Sequence, residues 1–280
     1  MTNLHDLAPH IRANVAAALE EDIRDGDLTA QLIPGHTRGH ATVITRQDAV
    51  LCGAAWFDVC FKMLDENCAI NWLSQDGDAI SANQTLCEIR GNARAMLTAE
   101  RSALNFLQLL SATATLTRRH VELVAGTRAK IMDTRKTLPG LRMAQKYAVR
   151  VGGGHNQRIG LFDGILIKEN HIAAAGGIKP VLEQALRMAK PGISVQIEVG
   201  DLSQLDEAIN AGAKLILLDN FDLAGLRAAV QHTAKRAELE ASGGITIENL
   251  REVALTGVDR ISVGALTKDV KAIDLSMRFA

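Results

Sequence analysis

Residues 129–171 read AKIMDTRKTLPGLRMAQKYAVRVGGGHNQRIGLFDGILIKENH, and this segment indicates how the second part of the chain folds. It contains two short aliphatic runs, AKIMD (129–133) and GILIK (164–168), which are typical of strands buried in a parallel sheet. Similar runs follow as VQIEV (195–199), LILLD (215–219), AELEAS (237–242) and RISVG (260–264). The sequence therefore predicts six strands of one sheet.

Helical patterns separate the later runs, at 178–190, 202–212, 223–235 and 246–257. Strands and helices that alternate with short connections form parallel sheets with right-handed crossovers. The spacing is that of a barrel, and no GxGxxG motif follows the first strand as in a dinucleotide-binding sheet. We therefore predict an α/β protein with an incomplete or distorted (β/α) barrel over residues 108–280.

The chain before residue 108 has a different pattern. Helical spacing at 9–22 and 55–64 accompanies shorter runs with the alternation of strands. These strand-like runs lie at 40–46, 49–53, 69–73 and 84–91. We interpret residues 1–107 as an N-terminal α+β sandwich domain, and we expect the C-terminal tail to pack back on it. A long apolar helical pattern at 97–125 predicts one or two helices.

Positive charge is concentrated between the first two barrel strands. From Thr134 to Lys168 the only acid is Asp163, whereas the basic residues are Arg135, Lys136, Arg142, Lys146, Arg150, Arg158 and Lys168. The whole chain has a formal net charge of −1, so this concentration is local. The glycine turn at 152–154 lets the backbone approach a ligand closely. We interpret the segment as a pocket for a small, highly charged anion; the alternative is a solvated basic face.

Active sites of barrels lie at the carboxyl ends of the strands. Polar residues or glycines occupy this position after each predicted strand, namely Arg135, Lys136, Lys168, Glu198, Asp219, Ser242, Gly243, Gly244 and Gly264. Unpaired charges at the ends of aliphatic strands are costly, so Glu198 and Asp219 require partners such as Lys136 or Lys168. Basic groups, two acids and two glycine turns at equivalent positions indicate one shared site.

Two glycine turns are candidates for binding phosphate. The turn at 242–244 precedes the predicted helix at 246–257, so its backbone N–H groups and a helix start are available to an anion. Thr246 is the candidate N-cap of that helix. A second turn follows the last strand at Val263, Gly264 and Ala265. Neighbouring turns after the last strands form the common phosphate site of barrels.

Composition excludes several other classes of protein. The chain is 47% hydrophobic but only 3% aromatic, and its near-neutral charge argues against nucleic-acid binding. Because it has neither a basic-then-apolar leader nor a run long enough to span a bilayer, we expect a cytoplasmic protein without membrane association. The four cysteines form no CxxC pair, and we expect buried, reduced thiols rather than a zinc site or a disulfide.

Long motifs connect these features to a known family. DTRKTLPGLR (133–142), the glycine turn at 152–154 and LIKENHI (166–172) together resemble quinolinate phosphoribosyltransferase, and the similarity extends from EEDIRDGDLTA (20–30) to LSMRF (275–279). The resemblance implies a type II phosphoribosyltransferase fold. It also implies an enzyme of NAD biosynthesis that transfers phosphoribosyl from 5-phosphoribosyl 1-pyrophosphate to quinolinate. The products would be nicotinate mononucleotide, pyrophosphate and CO₂.

The resemblance further implies roles for individual residues. Quinolinate would be held by Arg101, Arg135, Arg158 and Lys168, and guanidinium groups suit carboxylates because they donate two parallel hydrogen bonds. The catalytic residues, which would contact ribose and pyrophosphate, are Lys136, Glu198 and Asp219. Further substrate contacts would come from Thr134, Gln157, Ser242, Gly243, Gly244, Val263, Gly264 and Ala265.

Metal and subunit contacts are also implied by the resemblance. Glu198 and Asp219 are candidate ligands for Mg²⁺ that accompanies the pyrophosphate substrate, since carboxylates bind this ion. Arg101 would enter the active site of the neighbouring subunit, which implies a homodimer with contacts through the N-terminal domain. A hexamer is also compatible with this arrangement.

Two alternatives stay open, one from departures from the family and one from the position of Lys168 at a strand end. Gln157 stands where many members have His, and glutamine can hydrogen-bond a substrate but carries no charge. His155 is a candidate substitute if the turn directs it inward, and Gly200 replaces an acid of some relatives. One alternative is therefore a non-catalytic paralogue that binds anions or pyridine nucleotides. The other is a barrel lyase that forms a Schiff base through Lys168.

Overall fold

The computed structural model describes residues 4–280, which form two compact units. The first unit contains the chain up to residue 118, together with residues 137–153 and 269–280. The second unit contains residues 119–136 and 154–268. The predicted boundary between residues 107 and 108 falls within one long helix that continues to Leu123.

Helices and strands of the first half of the chain are α1 (Leu4–Ile23), β1 (Arg38–Thr45), β2 (Ala49–Val50), α2 (Ala54–Leu64), β3 (Ala69–Trp72), β4 (Ala79–Ile80), β5 (Thr85–Asn92) and α3 (Ala93–Leu123). Those of the second half are β6 (Lys130–Met132), α4 (Arg142–Val151), β7 (Gly164–Ile167), α5 (Glu169–Ala174), α6 (Ile178–Met188), β8 (Ser194–Val199), α7 (Leu202–Asn210), β9 (Leu215–Asp219), α8 (Leu223–Thr233), β10 (Glu238–Ser242), α9 (Leu250–Ala254), β11 (Arg260–Ser262), α10 (Ala265–Lys268) and β12 (Leu275–Phe279). In the part of the chain that the structure describes, no helix has the length and hydropathy needed to span a bilayer.

The first unit is built on an antiparallel sheet with the strand order β12, β1, β5, β3. Burial alternates along β1, where Ala41, Val43 and Thr45 are buried, because successive side chains point to opposite faces of a sheet. Ala41 and Val43 share one hydrophobic core with Trp56 and Phe57 of α2. All four cysteines are buried, as expected from their apolar neighbours in the sequence.

The strand predicted at 49–53 is shorter in the structure, where β2 contains only Ala49 and Val50. The backbone N–H of Cys52 donates to Ser111 Oγ, and that of Gly53 donates to Asp76. Gly53 also has a φ of 112°, which is outside the strand region. Side chains, and not a partner strand, therefore accept the N–H groups of Cys52 and Gly53. The aliphatic pattern of residues 49–53 does not predict these contacts.

The second unit is a six-stranded parallel sheet with the order β6, β11, β10, β9, β8, β7. Its strands correspond to all six predicted runs, and a helix follows each of β7 to β11. Buried leucines such as Leu182, Leu205 and Leu226 form the apolar faces of α6, α7 and α8. The chain neighbours β6 and β7 are the two edges of the sheet. This arrangement confirms the incomplete (β/α) barrel.

The helix predicted at 246–257 is much shorter than expected, because α9 begins only at Leu250. A turn precedes it, in which Asn249 Oδ1 accepts the N–H of Thr246 at 2.9 Å and Asn249 Nδ2 donates to the carbonyl of Gly244 at 3.0 Å. Thr246 is therefore not the N-cap. The predicted use of a helix start to bind phosphate next to Gly244 is wrong, since a helix dipole acts only over its first turn.

Candidate active site

A cavity of about 400 Å³ opens at the carboxyl ends of the barrel strands, within the second unit. It is lined by Thr134, Arg135, Lys136, Gln157, Arg158, Leu166, Lys168, Gln196, Glu198, Leu217, Asp219, Glu240, Ser242 and Ser262. Nine of these residues were predicted from the sequence; the others are Leu166, Gln196, Leu217, Glu240 and Ser262. The structure thus brings most of the predicted strand-end residues to one place.

The five additional residues share a simple relation to the predicted ones. Leu166, Gln196, Leu217, Glu240 and Ser262 each precede by two positions a strand-end residue named in the sequence. Residues two apart in a strand point to the same face, so this second layer forms the floor of the cavity. The strand register supports this layer, because Leu166 lies opposite Gln196 and Leu217 lies opposite Glu240. The five floor residues could have been identified from the sequence, because side chains two positions apart in a strand point to the same face.

The segment after the glycine turn follows the free edge of β6. His155 forms a parallel bridge with Met132, and its N–H donates to the carbonyl of Ile131 at 2.8 Å. The buried Asp133 carboxylate then accepts the N–H of Gln157 at 2.8 Å. These contacts direct Gln157 and the next residue towards the cavity. His155 itself is exposed and does not line the cavity, so the structure does not support it as a substitute acid.

Two arginines bring positive charge to one part of the cavity. Arg158 donates through Nη1 to the carbonyl of Gly164 at 3.0 Å, which orients its guanidinium. Burial is the main effect that lowers the pKa of Arg158, and the nearby guanidinium of Arg135 lowers it further. Two mutually repelling cations in one cavity are stabilised by a bound anion, and their planar groups match carboxylates.

Thr134 and Lys136 lie beside these arginines in a short turn after β6. The N–H of Lys136 donates to Thr134 Oγ1 at 3.1 Å, and its carbonyl accepts from Thr267 Oγ1 at 2.8 Å. A Cβ atom added to Gly264 would lie 3.1 Å from Cδ of Lys136. Gly264 therefore leaves space for the lysine stem, which positions the side chain at the mouth of the cavity.

The acidic part of the cavity contains Glu198 and Asp219. Lys168 Nζ forms an ion pair with Glu198 Oε2 at 2.8 Å, one of the pairings expected from the sequence. Burial is the main effect that raises the pKa of Asp219, and the negative charge of Glu198 raises it further. The positive charge of Lys168 lowers this pKa. His171 Nδ1 accepts the N–H of Lys168 at 2.9 Å, so His171 supports this strand end.

The glycine turn after β10 lines a second depression, which shares Ser242 with the main cavity. Gly243 has a φ of 92°, and a Cβ atom there would lie only 2.0 Å from Oδ1 of Asn220. Asn220 in turn donates its N–H to the carbonyl of Ser242 at 2.9 Å. Only glycine therefore fits at position 243, and the turn keeps its backbone exposed beside the cavity.

Some predicted site residues lie elsewhere. Arg101 is an exposed residue of α3 in the first unit and is not among the residues that line the cavity. Val263 is buried, and Ala265 is the first residue of α10. Neither residue lines the cavity wall, so a contact between them and a ligand stays a prediction.

The floor of the cavity is uncharged apart from one buried carboxyl group. Glu240 is fully buried, and its Oε2 accepts hydrogen bonds from the side-chain amides of Gln157 and, at 3.1 Å, Gln196. Its Oε1 has no hydrogen-bond partner among residues 4–280. Burial raises the pKa of Glu240, although both amide hydrogen bonds act in the opposite direction.

Glu198 and Asp219 are the strand-end carboxylates that would hold a magnesium ion arriving with a phosphate ligand. Among the described residues, no three His, Cys, Asp or Glu side chains are grouped as a metal site. Magnesium commonly takes one or two protein carboxylates and completes its coordination with substrate phosphates and water. The charge of Glu198 disfavours ionisation of Asp219, and a cation between the two acids would relieve this repulsion.

The fold and the cavity together define a (β/α)-barrel protein with an anion-binding site at the carboxyl ends of its strands. A family model described as "Quinolinate phosphoribosyl transferase, C-terminal domain" matches residues 113–278, and the corresponding N-terminal domain matches residues 27–111. The chain therefore belongs to the quinolinate phosphoribosyltransferase family.

Individual relatives agree with this membership. The chain is 44% identical over 257 residues to a probable nicotinate-nucleotide pyrophosphorylase (carboxylating) of Bacillus subtilis, with 92% of this chain and 89% of that protein covered. It is 43% identical over 276 residues to the nicotinate-nucleotide pyrophosphorylase (carboxylating) of Mycobacterium leprae, with 95% and 96% covered. The solved nicotinate-nucleotide pyrophosphorylase of Francisella tularensis superposes with a TM-score of 0.94 at 46% identity, covering 97% of this chain and 96% of that one.

Proposed function

We infer that the protein is a pentosyltransferase that transfers the phosphoribosyl group of 5-phosphoribosyl 1-pyrophosphate to quinolinate and releases CO₂. The observation that carries this conclusion is the cavity of the second unit. It combines two adjacent arginines with two strand-end acids in a chain whose relatives are named for this reaction. The substrates are an aromatic dicarboxylate and a sugar phosphate, and both need several cationic partners. The product, nicotinate mononucleotide, serves NAD biosynthesis.

The basic side chains account for substrate binding. We propose that Arg135, Arg158 and Lys168 bind the two carboxylates of quinolinate. Bidentate hydrogen bonds from the guanidinium groups orient the ring, so that its nitrogen faces C1 of the ribose. Lys136 neutralises the departing pyrophosphate from the mouth of the cavity, where its side chain is exposed.

The acidic side chains act at the ribose. As pyrophosphate departs, C1 of the ribose becomes oxocarbenium-like and carries positive charge. We propose that Glu198 and Asp219 stabilise this charge and hold the ribose hydroxyls, because fixed carboxylates need no reorganisation during the reaction. Mg²⁺ held by the same two acids would neutralise pyrophosphate as a leaving group. The turn at 242–244 binds the 5-phosphate through backbone N–H groups.

Loss of CO₂ follows from the charge of the product ring. Bond formation at the ring nitrogen creates a pyridinium cation. When the C2 carboxylate leaves as CO₂, the electron pair of the broken bond stays at C2, where the cationic ring stabilises it until a proton arrives. The transfer step therefore activates the ring for decarboxylation, and no catalytic base is required.

Both alternative functions receive less support. A Schiff-base lyase needs a lysine that attacks a carbonyl, whereas Lys168 is held in an ion pair by Glu198. Gln157 is the feature that favours a non-catalytic paralogue. However, the strand-end residues expected for catalysis all line one cavity, and the named relatives are enzymes.

We propose that the protein acts as a homodimer in which Arg101 enters the cavity of the partner subunit. Arg101 is exposed on α3 and belongs to the unit that does not contain the cavity. A third arginine would complete the set of donors for a dicarboxylate. A hexamer built from such dimers keeps the same shared site. A cytoplasmic location stays a prediction from the sequence.

Release of pyrophosphate tests the proposed reaction. Protein, 5-phosphoribosyl 1-pyrophosphate and Mg²⁺ are mixed with quinolinate or with nicotinate, and pyrophosphate is measured. We expect release with quinolinate and little with nicotinate, which lacks the second carboxylate. Binding of both substrates without pyrophosphate release would instead identify the non-catalytic paralogue. Trapping of a carbonyl ligand on Lys168 by borohydride would identify the lyase.

A further inference from the structure

The buried carboxyl group of Glu240 has no role in the reaction as described so far. It lies in the middle of β10, two positions before Ser242, and its side chain belongs to the floor of the cavity. A fully buried acid is rare in proteins unless it is paired with a cation or has a specific task. The charge of Arg260 lowers the pKa of Glu240, but Arg260 donates to Glu238 on the exposed side of the same strand. Among residues 4–280, Glu240 therefore has no direct ionic partner.

Two side-chain amides donate hydrogen bonds to Glu240, and the nearby Ser262 side chain also acts to lower its pKa. Gln157 and Gln196 both donate through Nε2 to the same oxygen of Glu240, and Gln157 Nε2 also lies 3.5 Å from Gln196 Oε1. The three side chains form a closed triangle that joins β8, β10 and the segment after the glycine turn. The backbone N–H of Gln157 donates to Asp133, and its side-chain amide donates to Glu240. These two hydrogen bonds fix both the backbone and the side chain of Gln157.

We propose that Glu240 is a positioning residue for the pyridine substrate, and that it holds the amides of Gln157 and Gln196 in the floor against which the substrate ring binds. This inference rests on the proposed function, because it assigns the floor to quinolinate and the mouth to the sugar phosphate. Leu166 and Leu217 complete the floor with apolar surface. An aromatic ring fits a surface of leucines and amides, whereas its carboxylates need the arginines nearby.

The charge of Glu240 matters for this role. An ionised carboxyl in the floor would repel a dicarboxylate substrate across a poorly solvated cavity. Burial favours the neutral acid, in agreement with the raised pKa of Glu240. A neutral carboxyl still accepts the amide hydrogen bonds at Oε2. The floor then carries no net charge, and the cations of the cavity remain available to the substrate.

Substitutions at Glu240 test the proposal through the Michaelis constants of the two substrates. Glu240→Gln preserves size and hydrogen bonding, so we expect a KM for quinolinate within about threefold of the original chain. Glu240→Leu leaves both amides without their shared partner. We expect it to raise the KM for quinolinate by roughly ten- to a hundredfold while the KM for 5-phosphoribosyl 1-pyrophosphate changes little. Glu238→Gln, an exposed change on the same strand, serves as the matched control.

A double-substitution cycle shows whether Glu240 acts through Gln157. In a Gln157→Ala background, Glu240→Leu should add little further loss of quinolinate affinity, because the group that it positions is already absent. If Glu240→Leu does not fold, as judged by circular dichroism and Tm, Gln196→Leu removes another corner of the triangle. It should produce the same selective rise in the KM for quinolinate.

The outcomes separate this proposal from the proposed function. Quinolinate binding is also measured by calorimetry without the second substrate, so that an effect of Glu240 is visible even if no product forms. Failure of the unmodified protein to form product would overturn the proposed function alone. A folded Glu240→Leu or Gln196→Leu variant with unchanged quinolinate binding would overturn the role of Glu240. Equal losses for both substrates would also overturn it, since they would indicate general structural damage.

Discussion

Lys168 and Glu198 form an ion pair across neighbouring strands, with Nζ 2.8 Å from Oε2. The register of β7 and β8 places Leu166 opposite Gln196, and two positions later it brings this lysine and this acid together. Asp219 follows on the next strand, where burial and Glu198 raise its pKa. One cation and two acids thus occupy adjacent strand ends, which makes the electrostatic balance of the cavity sensitive to each of them.

Replacing Glu198 by Gln should reduce kcat by roughly a hundredfold, because a fixed carboxylate near the developing positive charge is lost. Glu183→Gln on α6 changes an exposed acid and serves as the control. Steady-state kinetics with both substrates measures the effect. An unchanged kcat in Glu198→Gln would show that this acid does not stabilise the transition state.

Replacing Arg158 by Lys should raise the KM for quinolinate about tenfold or more, since an ammonium cannot reproduce two parallel hydrogen bonds to a carboxylate. The substitution also loses the hydrogen bond to the carbonyl of Gly164. Arg187→Lys on α6 is the matched change at an exposed position. Equal KM values for the two variants would exclude a specific carboxylate contact at position 158.

Gly243→Ala should destabilise the protein more than Gly212→Ala. Both glycines have φ near +90°, where a Cβ atom costs about 1–2 kcal/mol. At Gly212 the space around an added Cβ is open, whereas at Gly243 the Cβ would overlap the side chain of Asn220. Thermal unfolding and the KM for 5-phosphoribosyl 1-pyrophosphate measure the difference. Similar Tm values would contradict the close approach of Asn220.

The stability of Glu240→Gln relative to the original chain should increase with pH. Burial raises the pKa of Glu240 in the folded protein above the unfolded value of about 4.3. Between these two pKa values the folded state binds more protons than the unfolded state, so its stability falls as pH rises. Because glutamine does not titrate, the Glu240→Gln variant does not lose this stability as pH rises. The difference in Tm should therefore grow above about pH 4 and level off above the folded pKa.

Tm measured from pH 4 to pH 9 tests this dependence, with Glu238→Gln as the exposed control. A constant difference between Glu240→Gln and the original chain at every pH would mean that burial does not shift the pKa of Glu240.

Mixing two inactive variants tests the shared active site. Arg101→Ala and Lys136→Ala should each be inactive alone, and mixed dimers should recover activity because one of their two sites contains both native residues. Random exchange of equal amounts should restore up to about a quarter of the original activity. Lys136→Ala mixed with Glu198→Gln is the control, since both residues line the cavity of one chain. Absence of recovery despite demonstrated subunit exchange would exclude the contact across the interface.

The barrel could be predicted from the sequence because its signal is local. Each of the six aliphatic runs, such as VQIEV and LILLD, became a strand, and most of the residues after them came together at one cavity. The carboxyl ends of parallel strands share one edge whatever the details of packing. Charged residues at these strand ends therefore predicted the position of the active site.

Features that depend on distant side chains could not be predicted. The strand expected at 49–53 ends at Val50. The N–H of Leu51 still donates to the carbonyl of Asp78, but the N–H groups of Cys52 and Gly53 donate to the side chains of Ser111 and Asp76. The helix expected at 246–257 starts late because Asn249 forms a turn with Thr246. Both contacts compete with regular structure, and neither leaves a periodic pattern.

Glu240 was missed for a different reason. In the sequence it is one of two glutamates in ELEAS, and the exposed Glu238 looks equivalent to it. Only the alternation of faces along β10 separates the buried acid from the exposed one. Counting two positions back from each strand-end residue would have identified it together with Gln196.

Labelling each carboxylate of quinolinate separately tests most directly whether the protein transfers phosphoribosyl to quinolinate and releases its C2 carboxylate as CO₂. Two samples of quinolinate carry ¹³C in the C2 carboxylate or in the C3 carboxylate, and each is incubated with the protein, 5-phosphoribosyl 1-pyrophosphate and Mg²⁺. We expect the label of the C2 carboxylate to leave as CO₂, one molecule for each pyrophosphate, whereas the label of the C3 carboxylate remains in nicotinate mononucleotide. Pyrophosphate release without labelled CO₂, or no release of either product, would contradict it.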